Sequence, residues 1–202
     1  MPNAIDLSSF AGLGAITLLT LNILIGLLLS TKYNPVRRWP HRRLNTVKVH
    51  NWTGYLALLL AAVHPALILF SASEHFTLLN ILYPLNAPKQ PGINTFGAAA
   101  LYILTFTVIT SYFRFQIGRR WWKKMHFLTY AMFPLYAVHG ILTDPTLKNA
   151  PLDPFDAEKV YVELCVLLVA VAVIARVRWQ LRQPPPRVHR PRVATRAAAP
   201  LI

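Results

Sequence analysis

One cysteine and seven acidic residues in 202 positions leave little material for the chemistries that small proteins most often carry. A lone Cys165 excludes a disulfide framework, and without CxxC or CxxCH there is no thiolate metal site and no thioether-linked cofactor. The carboxylates are too few and too scattered to form an acid/base pair, and no Ser/His/Asp arrangement points to hydrolysis. Only 14% of the chain is charged while 54% is hydrophobic, and the apolar residues arrive in long blocks. Five blocks, 8–30, 47–73, 94–113, 121–143 and 158–179, are near the ~20 residues that a bilayer crossing needs. The expected fold is therefore all-α, an integral membrane bundle of five transmembrane helices.

What charge there is lies unevenly. The formal net charge of +14 would fit nucleic acid by magnitude, but the cations follow the apolar blocks. Six lie between the first two blocks (Lys32 to Lys48), five between the third and fourth (Arg114 to Lys124) and seven after the fifth (Arg176 to Arg196), so 18 of 21 share one side. Only Lys89, Lys148 and Lys159 fall on the other, with most of the acids. The positive-inside bias places the N-terminus outside and the C-terminus in the cytoplasm, as an odd number of spans requires. No nucleic-acid partner is expected; membrane lipid is. The opening "MPNAIDLSS" lacks the cationic n-region of a signal peptide, so the first block is expected to stay in the protein. Residues 1–180 read as one membrane domain, and 181–202, rich in Pro, Arg and Ala, as a disordered basic cytoplasmic tail. Asp156 is placed to cap the last helix, and the loop 83–92, with three prolines and a glycine, is expected to be irregular.

Of seven histidines, four lie in two spans: His50 and His64 in the second, His126 and His139 in the fourth. Ionisable groups inside a span are costly and point to function. The two spans run parallel, and at about 1.5 Å per residue His64 lies about 21 Å beyond His50 and His139 about 19.5 Å beyond His126. Two cross-helix pairs follow, His50 with His126 near the inner side and His64 with His139 towards the outer. Rotation agrees for the second span, where fourteen steps of about 100° return to within roughly 40° of the same face. In the fourth span thirteen steps leave His139 roughly 140° from His126, so that helix must be distorted, and Pro134 offers a cause. Pro65 offers the same in the second span. One metal cannot bridge residues about 20 Å apart, and no Cys, Asp or further His lies at either height to complete a zinc site. Two imidazoles from facing helices instead suit the axial positions of a haem iron, whose porphyrin supplies four ligands. Two b haems stacked across the bilayer are expected. His41, His75 and His189 read as solvated surface, Trp121 and Trp122 as interfacial anchors, and Arg43, Lys48, Lys123 and Lys124 as cations at the inner interface.

The stretches "KVHNWTGYLALLLAAVHP" (48–65) and "KKMHFLTYAMFPLYAVHG" (123–140) resemble the ferric-reductase-like transmembrane domain. That superfamily includes ferric reductases, NADPH oxidases and the bacterial membrane cytochrome that partners a periplasmic methionine sulfoxide reductase. The resemblance extends over roughly 8–180 and implies that His50, His64, His126 and His139 are axial ligands carrying electrons outwards. Family members commonly have six spans, and the larger ones continue into flavin and nicotinamide domains. Here 23 residues follow Trp179 with no GxGxxG, so the chain is expected to take electrons from a separate flavin reductase or from quinol. The stand-alone bacterial type, in the cytoplasmic membrane, fits best. The expected function is an electron-transfer component that delivers to an outer protein or to ferric iron. A membrane-anchor cytochrome of a larger respiratory complex is the alternative, and a metal transporter or assembly factor a further one.

Overall fold

The computed structural model describes residues 3–31, 45–71, 75–144 and 153–183. The tail beyond 183, with His189, and most of the first basic loop, with His41 and Arg43, lie outside these. The described residues form helices α1 (Ala4–Ser30), α2 (Thr46–Ile68), α3 (Leu78–Leu82), α4 (Pro91–Tyr112), α5 (Arg114–Ile117), α6 (Arg119–His126), α7 (Thr129–Leu142) and α8 (Ala157–Leu181). A 3-10 turn at Pro84–Asn86 occupies the loop expected to be irregular.

Local chemistry sets where the helices start. Asn3 and Asp6 form a capping box on α1, each side chain taking the other's backbone N–H at 2.8 and 2.9 Å. Asn45 accepts from the Lys48 amide at 3.1 Å to open α2, and Asp156 caps α8 through the Glu158 amide at 3.3 Å, as its position predicts. α4 starts at Pro91, whose missing N–H costs nothing there. Gln90, before it, adopts φ 46° and grips Asp144 beyond α7: its Nε2 donates to the Asp144 carbonyl at 3.2 Å and its Oε1 accepts the Asp144 amide at 3.0 Å. That two-point grip ties the start of α4 to the end of α7.

α1, α2, α4 and α8 are each long and apolar enough to cross a membrane. Small residues such as Ala57 and Ala100 are buried between them, letting backbones approach, while Leu59, Leu164, Leu167 and Ile174 stay exposed on outer faces where lipid replaces water. The chain is a multi-pass membrane protein, and helices are the only regular elements among the described residues.

The block 121–143 differs from expectation. It is two helices, the basic α6 and the 14-residue α7, joined through Phe127–Leu128. Over this joint the ladder tightens: the amides of Leu128, Tyr130 and Ala131 donate to Met125, Phe127 and Leu128, three residues back instead of four. Such 3-10 winding advances about 120° per residue rather than about 100°. Each residue wound that way adds about 20°, in the sense that thirteen ideal steps lack. The tight turn ends beside Tyr130, whose carbonyl has no N–H to meet at Pro134. α2, by contrast, runs on through Pro65 to Ile68.

Candidate functional site

α1 lies along α2, and α4 along α7, with His126 at the end of α6; yet α2, which carries His50 and His64, hardly touches α7, which carries His139. The histidine rings meet across the slot between them. His50 and His126 have ring centres 6.1 Å apart and His64 and His139 also 6.1 Å, both edge-to-face, at 65° and 71°. Two imidazoles binding one metal from opposite sides, at about 2 Å each, bring their ring centres to about 6 Å. Among the described residues no third His, Cys, Asp or Glu joins either pair. Glu163, on the exposed face of α8, is not part of either.

Each ring is held from behind by the neighbouring helix. His64 Nδ1 donates to the Ser8 carbonyl at 2.7 Å, His50 Nδ1 to the Asn22 carbonyl at 3.1 Å and His139 Nδ1 to the Ile93 carbonyl at 3.0 Å. A carbonyl only accepts, so these three nitrogens carry the proton and Nε2 keeps its lone pair for a metal. In each case a glycine sits four residues after the accepting carbonyl: Gly12 after Ser8, Gly26 after Asn22, Gly97 after Ile93. One helical turn puts residue i+4 over residue i on the same face, so the absent side chain is what lets the ring reach the carbonyl. A Cβ at Gly12 would come within 3.1 Å of His64 Nδ1, and one at Gly26 within 3.3 Å of His50 Cε1. At Gly97 it would lie 2.9 to 3.0 Å from three atoms of the His139 ring.

The α1–α2 half repeats this device. Ser8 and Asn22 are fourteen residues apart, as are Gly12 and Gly26, and as are His50 and His64. Each α1 residue also reciprocates: Ser8 Oγ donates to the His64 carbonyl at 2.7 Å, and Asn22 Nδ2 donates to the His50 carbonyl at 2.5 Å and to Thr53 Oγ1 at 2.8 Å. His126 is the exception. Its Nδ1 lies 3.3 Å from the Ser111 hydroxyl, which already accepts Trp122 Nε1 at 3.2 Å, and the Trp122 ring lies 5.3 Å from the imidazole. Trp122 is thus half-buried at the pair and not a free interfacial anchor, whereas Trp121 is exposed with Lys124 Nζ 4.7 Å above its ring. Lys48, Lys123 and Lys124 are exposed, and His75 precedes α3 on the surface.

Two open pockets flank the His64–His139 pair, one towards α4 and the α3 loop, the other towards α1 and α8. Tyr136 stands between them and donates to the Gly12 carbonyl at 2.9 Å, tying α7 to α1.

Sequence reasoning singled out the four histidines but assigned nothing to Ser8, Asn22, Ile93 or Ser111, nor to the three glycines. The signal was present in the first span, where 8/22 and 12/26 share the fourteen-residue interval of 50/64.

The fold and site define a class: a multi-pass membrane bundle built around two stacked histidine pairs in a slot between helices that hardly touch. The chain belongs to a family within it, the ferric reductase like transmembrane component, whose model matches residues 11–137, more than half of the sequence. That match takes in His50, His64 and His126 and ends two residues before His139. No curated protein and no solved structure matches the chain.

Proposed function

We propose that the protein is a di-haem cytochrome b that moves electrons across a membrane, with His50 and His126 as the axial ligands of one haem and His64 and His139 as those of the other. The observation that carries the reading is the pair of 6.1 Å ring separations, each with two imidazoles and no third protein ligand among the described residues. Such a site suits a metal that brings four equatorial donors with it. When bound, each haem supplies a one-electron ferric/ferrous couple.

The residues of the chain do the rest. The carbonyls of Ser8, Asn22 and Ile93 fix the ligating tautomer and the ring orientation. The apolar helix faces keep water from the sites, and the two pairs are held about 21 Å apart along α2 by fourteen residues of helix. The cationic bias puts the His50–His126 pair on the cytoplasmic side, with the N-terminus outside and the C-terminus inside a bacterial cytoplasmic membrane. In this arrangement α6 and α7 cross together as one broken helix, the fourth of five spans, since Arg119–Leu142 at about 1.5 Å per residue exceeds the ~30 Å of hydrocarbon. Electrons enter from a separate flavin reductase or from quinol, and leave at the His64–His139 end to an outer protein or ferric iron.

A reduced-minus-oxidised absorption spectrum with pyridine haemochrome quantification on the purified protein tests this. The expected result is two b haems per chain. One would remove a pair from the assignment, and none would end the reading.

A further inference from the structure

The hydrogen bonds behind the histidines pin each ring to its own half of the bundle. His64 is held by Ser8 and His50 by Asn22 within the α1–α2 half, and His139 by Ile93 within the α4–α7 half. These bonds aim the rings, but none of them sets how far a ring stands from its partner across the slot. Packing of α2 on α7 does not set it either, because those helices hardly touch. The Tyr136 hydroxyl does cross, donating from α7 to the Gly12 carbonyl of α1 at 2.9 Å. Tyr136 is buried, and its ring centre lies 6.4 Å from that of His139, three residues further along the same face of α7. Gly12 lies one turn from Ser8, where the His64 ring rests against it: a Cβ there would come within 3.1 Å of His64 Nδ1. A circuit results, running from His139 through one turn of α7 to Tyr136, across to Gly12, and through one turn of α1 to Ser8 and His64.

A phenylalanine would fill the same space, so what the hydroxyl adds is the bond. A buried O–H is costly unless it has an acceptor, and the Gly12 carbonyl, inside α1, has a second lone pair to offer. Resting on the di-haem reading, we infer that Tyr136 is a positioning residue for the His64–His139 haem: its bond to Gly12 holds the two halves at the spacing at which both imidazoles reach one iron, and so keeps that iron six-coordinate and closed to small ligands. The bonds on the other two rings, Asn22 with His50 and Ser111 with His126, stay within a half, so the effect belongs to one pair. Closure suits a haem that only hands electrons on, since carbon monoxide or dioxygen binds such an iron after an axial ligand has let go.

The test measures carbon monoxide binding to dithionite-reduced holoprotein and the spin state of the ferric form, in wild type, in Tyr136→Phe, in a variant with para-aminophenylalanine in place of Tyr136, and in Tyr161→Phe. Tyr161 is the control, because its hydroxyl lies 2.6 Å from Thr17 Oγ1 and ties α8 to α1, away from the slot. Tyr136→Phe is expected to bind carbon monoxide about fivefold faster than wild type, the factor that corresponds to one hydrogen bond of about 1 kcal/mol, and to show a new high-spin ferric fraction. Para-aminophenylalanine restores an N–H donor and is expected to behave as wild type. That variant answers the question even if Tyr136→Phe does not fold, because fast binding with a donor restored would overturn the inference. So would a wild-type rate in Tyr136→Phe, or an equal rise in Tyr161→Phe, which would make the effect a general loosening of the bundle. The haem concerned is identified in the His139→Ala background, which is expected to hold the His50–His126 haem alone: adding Tyr136→Phe there should change nothing, and a rise would overturn the assignment. Wild-type protein holding no haem at His64–His139 would instead bring down the functional reading and this inference with it.

Discussion

The two halves that face each other across the histidine slot solve one problem in different ways. α1 and α2 form an antiparallel pair in which a single device, carbonyl plus glycine four residues on, is used twice at a fourteen-residue interval. The α4–α6–α7 half uses that device once, at Ile93 and Gly97, and then departs from it: the helix breaks at Phe127–Leu128, and His126 is met by a hydroxyl shared with Trp122. A regular repeat serves where both histidines lie on one helix face. Where thirteen residues separate them, the chain overwinds a turn and accepts a different support for one ring. Three histidines are therefore held by acceptors that cannot vary, and the fourth by a hydroxyl whose strength as an acceptor depends on a second donor.

The contrast is broken most severely by removing a ring. His139→Ala is expected to halve the haem content from two per chain to one while leaving the His50–His126 haem reducible, read by pyridine haemochrome and dithionite titration. Unchanged haem content would end the pairing. Next comes Gly97→Ala, where the added methyl meets a ring already pinned against Ile93. Overpacking of this kind costs about 1–3 kcal/mol, and the loss should appear as earlier thermal release of the His64–His139 haem. The same change at Gly26, where the nearest ring atom is 3.3 Å away, should cost less, and an equal effect at both would mean that ring contact does not set the order.

A third variant probes the reciprocal bonds of the regular half. Asn22→Leu removes the donor to the His50 carbonyl and to Thr53, and is expected to lower stability by about 1–3 kcal/mol in a thermal melt followed at the haem absorption. The smallest effects, and the sharpest for the comparison, concern the irregular ring. Ser111→Ala takes the acceptor from His126 Nδ1, makes the imidazole a weaker donor to iron, and should raise the potential of the His50–His126 haem. Trp122→Phe should lower that potential slightly, because the Ser111 oxygen then accepts from His126 alone. Opposite signs from two neighbouring substitutions, in a potentiometric titration that leaves the other haem unmoved, are the expected result; equal signs would show that packing, not the hydrogen bond, sets the potential.

The histidines and their heights were legible in the sequence because burial of an ionisable ring is rare and helical rise converts spacing into depth. The Asp156 cap was legible for a similar reason, being a property of a side chain at a fixed offset. What the sequence concealed is mostly backbone. The acceptors behind three histidines are main-chain carbonyls, for which Ser8, Asn22 and Ile93 share no side-chain signature, and only the glycine four residues on betrays them. The break in 121–143 was sought at Pro134 but lies at Phe127–Leu128, six to seven residues earlier, where no residue type in the sequence marks it. Trp122 looked like its neighbour Trp121, and only the turn of α6 towards Ser111 separates them.

The matched interval in α1 and α2 works as a ruler. In the antiparallel pairing, Ser8 with His64 and Asn22 with His50 each sum to the same number, 72, so one register satisfies both sites. A residue inserted between Gly12 and Asn22, or between His50 and His64, would let the two helices align at one site only by misaligning at the other, whereas an insertion in the loop between the helices leaves both intact. Length within these two stretches is thus as tightly specified as the identity of the histidines themselves, and a chain that has gained or lost one position there should hold one cofactor or the other, but not both.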